Sequence, residues 1–153
     1  EVVDGAGFRS PWTSLALDAA GRPHVSYLGE TNQTIQYAYR EGTDWVTRVV
    51  DTIGGPTSVN VWMRSSLALD ASGAPHVGYY DAIHEDLAYA RWEGGAWAIQ
   101  TVDSPGNVGH FVSLALDQTG GPRLGYRDGT NGTLKLASAR PLQRLYLPCL
   151  LFD

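Results

Sequence analysis

The chain has 153 residues, 43% hydrophobic and 18% charged, with a formal net charge of −5. That is enough apolar content for a packed core, and the acidic balance argues against a nucleic-acid partner, which needs concentrated Lys and Arg. No run of about 18 apolar residues suggests a helical membrane span, and a single cysteine, Cys149, excludes an internal disulfide framework.

In chain order, the dominant signal is one stretch written three times. It reads Ser14-Leu-Ala-Leu-Asp18-Ala-Ala-Gly21-Arg-Pro23-His24-Val25-Ser-Tyr27, and then Ser66-Leu-Ala-Leu-Asp70-Ala-Ser-Gly73-Ala-Pro75-His76-Val77-Gly-Tyr79. The third copy is Ser113-Leu-Ala-Leu-Asp117-Gln-Thr-Gly120-Gly-Pro122-Arg123-Leu124-Gly-Tyr126. Each copy predicts a short apolar strand, Leu15 to Leu17 in the first, followed by an Asp-x-x-Gly turn. The Asp can accept from neighbouring amides, and the Gly can take positive φ to make a bulged hairpin. The next strand, Pro23 to Tyr27, sets His24 and Ser26 against Val25 and Tyr27 in the two-residue period of a sheet.

A third strand, Ile35 to Ala38, is matched by Leu87 to Ala90 and Leu134 to Ala137. A fourth, Trp45 to Asp51, is matched by Trp97 to Asp103. No useful window has the 3.6-residue apolar period of a helix, so the chain reads as all-β. The units run from about 14–51, 66–103 and 113–140, with an apolar tail over 141–153. The longer connector between the first two units carries Trp62 and Met63, apolar surface that suggests packing against a neighbour. Glu1, Val2, Val3 and Asp4 stand before Ser14 as the Val102-Asp103 pair stands before Ser113. They read as a surplus outer strand without the rest of its unit.

Four short antiparallel strands repeating at about 50 residues match a propeller blade. The pattern SLALD-x-x-G-x-PH-V-x-Y, L-x-YA, W-x-x-x-x-VD resembles bacterial extracellular propeller repeats near the fucose-lectin-like and Asp-box propellers. The resemblance covers residues 1 to about 140 and implies an exported, extracellular or cell-surface protein. The tail, with Leu145, Tyr146, Leu147, Cys149 and Leu150, resembles the YLP-x-x-L endings of exported proteins in filamentous green bacteria. Three blades fall short of the four to eight of a typical ring. Unpaired edges and bare blade faces invite association, so completion by other copies is expected, through residues 1–4, the Trp62-Met63 connector or the tail.

The chemistry-bearing residues are few. Asp18, Asp70 and Asp117 sit at equivalent turns and read as turn caps; Asp-x-x-Gly alone lacks the oxygens of a calcium loop. His24 and His76 open their strands where Arg123 stands in the third copy, which argues against a metal and for hydrogen bonding beneath a turn. With Trp45 and Trp97 these three residues are the candidate glycan contacts. The resembled fucose lectins place an Arg on the second strand, a Glu on the third and a Trp on the outer one. Here the third-strand positions read Gln36, Ala88 and Lys135, so that site carries over only at the Trp. The sialidase-like propellers imply an arginine cluster and a Tyr–Glu pair, whereas these arginines are scattered singly. Asn32 and Asn131 open glycosylation sequons.

The sequence therefore predicts a non-enzymatic, self-assembling extracellular structural protein with no cofactor or metal, its partners being copies of itself. The alternative is an oligomeric lectin with glycan sites between blades.

Overall fold

A computed structural model describes residues 1–5, 12–29, 33–54 and 64–139. The described residues hold eleven strands and no helix: β1 (Thr13–Leu17), β2 (Pro23–Gly29), β3 (Thr34–Glu41), β4 (Asp44–Thr52), β5 (Ser65–Leu69), β6 (Pro75–Asp81), β7 (Asp86–Trp92), β8 (Trp97–Asp103), β9 (Val108–Leu116), β10 (Pro122–Asp128) and β11 (Thr133–Ser138). They form three antiparallel meanders, β1-β2-β3-β4, β5-β6-β7-β8 and β9-β10-β11.

The first turn of each sheet forms as its residues require. Gly21 N–H donates to the Asp18 carbonyl at 2.9 Å, and Asp18 N–H donates to the Arg22 carbonyl at 3.0 Å. The Asp18 carboxylate accepts from the amides of Ala20 and Arg22, at 2.9 and 2.8 Å. Asp70 and Asp117 repeat the arrangement with the amides of Ser72 and Ala74, and of Thr119 and Gly121. Gly21, Gly73 and Gly120 all take positive φ (73°, 83° and 80°), which an L side chain adopts only under strain.

The sheets stack in chain order, and period-two alternation decides which face each residue joins. Pairing of His24 with Tyr39, Ser26 with Tyr37 and Leu28 with Ile35 puts these side chains on one face of the first sheet. That face meets Leu67, Val77, Tyr79, Ala88 and Ala90 of the second sheet in one buried cluster. The opposite face of the second sheet supplies Leu87 and Tyr89 to a second cluster with Leu114, Leu124 and Tyr126 of the third. Gly78 allows that approach, because a Cβ there would lie 2.8 Å from the Leu124 side chain.

Polar bonds tie neighbouring sheets in the same register. Ser14 Oγ accepts from Leu67 N–H at 3.0 Å, and Ser66 Oγ accepts from Leu114 N–H at 2.9 Å. Tyr79 O–H donates to Asp51 at 2.7 Å and Tyr126 O–H to Asp103 at 2.5 Å, each reaching the outer strand of the sheet before. The third sheet departs from the expected unit in one respect. Its first strand begins at Val108 and not near Ser113, and it runs through an irregular stretch with Phe111 at φ 54°. Burial of Val108 and Val112 against the second sheet holds this extension, which the repeat does not contain.

Residues 1–5 form no strand, but they lie on the first sheet as a preceding outer strand would. Tyr27 O–H donates to Asp4 at 2.8 Å, the counterpart of Tyr79 with Asp51. Glu1 accepts from Arg40 and, at 3.1 Å, from Trp45 Nε1.

Candidate functional site

A cavity of about 660 Å³ lies between the first two sheets. His24 and Tyr37 line it from β2 and β3, with Glu41 at the end of β3. Across from them stand the Ser72–Pro75 turn and the Trp92-Glu93-Gly94 hairpin of the second sheet. A second cavity, of about 180 Å³, repeats this plan between the second and third sheets. There His76, Tyr89 and Glu93 take the places of His24, Tyr37 and Glu41, and Thr119 to Pro122 supply the turn.

The histidines are structural. His24 and His76 are 7% and 2% exposed, and burial lowers the pKa of each against the opposing pull of Asp18 and Asp70. Each stays neutral. The Asp18 carboxyl is held at about 2, chiefly by the Arg22 amide, so it can only accept. Partial burial works to raise Asp70, but bonds from Ser72, Ala74 and His76 outweigh it and hold it at about 2 as well. With an accepting carboxylate 3.6 Å from His24 Nε2 and 3.4 Å from His76 Nε2, the ring proton belongs on Nε2. Tyr37 O–H then donates to His24 Nδ1 at 2.5 Å, and Tyr89 O–H to His76 Nδ1 at 2.5 Å. Burial also raises both phenols, Tyr89 to about 12, so neither ionises at neutral pH.

Above this pair the first cavity has an aromatic wall. Tyr39 stacks on Tyr37 with ring centres 5.6 Å apart, and Trp97 meets Tyr37 edge-on at 5.5 Å. Trp92 packs on Trp97 at 5.4 Å. The Arg48 guanidinium lies over Trp92 at 4.8 Å and donates to Tyr39 Oη at 3.1 Å. Arg22 is paired with Asp18 at 2.7 Å and Arg40 with Glu1. The exposed carboxylates of Glu41 and Glu93 face the same space. The lining combines flat ring faces, guanidinium donors and carboxylate acceptors, which suits a ligand that is apolar on one side and rich in hydroxyls on its edge.

Of the sequence-derived contacts, His24 and His76 line the cavities, but as a braced floor. Trp97 stands behind Tyr37 and Trp92, and Trp45 lies against Glu1 on the far face of the first sheet. Arg123 takes the histidine place in the third sheet and bonds Asp117 and Ser138. With Leu136 where the tyrosine would be, it lines neither cavity. Asn131 is exposed, with its amide donating to Asp128 at 2.9 Å. Trp62, Met63, Leu145, Tyr146, Leu147, Cys149, Leu150 and Asn32 lie outside the described residues. Sequence reasoning did not single out Tyr39, Glu41, Arg48, Trp92 or Glu93. Of these, Glu41 and Glu93 recur at equivalent hairpins, a signal that pointed to a repeated site.

Fold and site together define an all-β protein of three stacked antiparallel sheets with a repeated pocket between them. No family model matches the chain, and no curated protein does either. Among solved structures it is similar to a fucose lectin from Kordia zhangzhouensis, determined in complex with methyl-fucoside. The TM-score is 0.54 at 14% identity, over 83% of this chain and 91% of that one. The two share an all-β fold.

Proposed function

We propose that this protein is a non-catalytic carbohydrate-binding module whose sheets are propeller-type blades and whose ligands sit between them. The observation that carries the reading is the repetition of one pocket plan at two successive junctions, His–Tyr floor, carboxylate and facing turn included. A core formed for packing alone has no need of an open cavity bordered by Tyr39, Arg48, Trp92 and two carboxylates. A pyranose would lay its C–H face on the rings, give hydroxyl protons to Glu41 or Glu93, and accept from Arg48. The fucose lectin of similar fold, complexed with methyl-fucoside, supports the same ligand class. This pocket chemistry favours sugar binding over a purely structural role.

Calorimetric titration with methyl-fucoside and a panel of neutral monosaccharides tests the reading. Tyr39→Ala with Arg48→Ala should weaken binding at the larger pocket at least tenfold, about 1.4 kcal/mol, while the smaller pocket keeps its affinity. A folded protein that binds no saccharide on the panel would refute it.

A further inference from the structure

We infer that this chain joins other copies of itself head to tail, the free face of the third sheet in one copy packing on the free face of the first sheet in the next. The inference stands independently of the glycan reading. Within the chain, the same junction already occurs twice. Each uses a Ser Oγ on one first strand, a Leu N–H on the next and an apolar face-to-face contact. The two ends of the stack carry the unused halves. Among the described residues, Ser113, the third serine of the series, meets no following Leu N–H, and Leu15, the first leucine, meets no preceding serine hydroxyl. The apolar surfaces match as well: Leu134 and Leu136 are exposed on β11, and Leu15 and Leu17 on β1.

The outer strand points to the same occupant. Among the described residues the third sheet has three strands with β11 at its edge, while the other two sheets have four. Residues 1–4 hold the place, relative to the first sheet, that β4 holds relative to the second, as Asp4–Tyr27 and Asp51–Tyr79 show. In a head-to-tail pair, residues 1–4 of one copy fall beside β11 of the other and supply its fourth strand. Two copies would make six sheets, within the four to eight of a closed ring.

Sedimentation of the intact chain over a wide concentration range tests this, with circular dichroism to confirm that each variant keeps its β signal. The expected particle has twice the 16.6 kDa of one chain, and a larger assembly abolished by the same variants would support the same junction. Leu136→Glu alone and Leu15→Glu alone should each be monomeric. Mixed, they should form a heterodimer through the one junction left intact, a result that only a head-to-tail contact gives. Removal of residues 1–4 should shift the association midpoint to higher concentration. An intact chain that stays monomeric overturns the inference, as does an unchanged mass in Leu136→Glu. An intact chain that assembles only after loss of residues 141–153 would place its own tail on β11, and would overturn it too.

Discussion

Ile35, Leu87 and Leu134 hold one position in the three repeats, yet they are 1%, 0% and 86% exposed. Two residues on, Tyr37 and Tyr89 are buried while Leu136 is open. The strands carrying them are paired alike, each running antiparallel to the strand that begins at the repeated Pro. The difference arises outside the sheet. The first and second sheets have a neighbour on that face, and the third has none among the described residues. Strand formation is therefore local to each repeat, and most of the hydrophobic stabilisation belongs to the junctions between repeats.

The largest effect should come from the position itself. Leu87→Ala should cost about 2–5 kcal/mol through lost burial and a residual cavity. Leu134→Ala, measured by denaturant unfolding at a dilution where single copies prevail, should stay within about 0.5 kcal/mol. Equal losses would mean that the third sheet's outer face is already covered within one chain.

Next is the tyrosine that reaches back to the preceding outer strand. Tyr79→Phe removes a bond to Asp51 and leaves that carboxylate short of a donor, a loss of about 1–2 kcal/mol in thermal unfolding. Tyr27→Phe should cost less, because its partner Asp4 lies on a short segment that forms no strand. Matching losses would show residues 1–4 to be held as firmly as β4.

The smallest effect is on pH dependence. Burial depresses the pKa of His24 and His76 below 6.5, so the unfolded chain takes up protons before the folded one does. Stability should decline as pH drops below 6.5, and a His24→Gln, His76→Gln double variant should flatten that slope. The third repeat has Arg123 at that place, but His110 on β9, lowered chiefly by burial, adds to the same slope and stays in the double variant. Asp18 and Asp70 act further down: their contribution is complete above 3.8 and disappears as pH falls through about 2. A double variant with an unchanged slope between pH 6.5 and 4 would assign the titration to other groups.

Sequence alone was sufficient for the all-β class, the three repeats, the Asp-capped turns and the placing of His24 and His76 beneath them. All of these follow from contacts within a few residues or from period-two alternation, which a linear pattern records. The lengthened β9 escaped it, because Val108 and Val112 are fixed by the second sheet and not by their own repeat. The pocket escaped it for a related reason. Tyr39 and Arg48 belong to one repeat and Trp92 and Glu93 to the next, and each reads separately as an ordinary strand or hairpin residue. Only stacking of the sheets brings them to one space, since the faces that meet are chosen by burial across a junction.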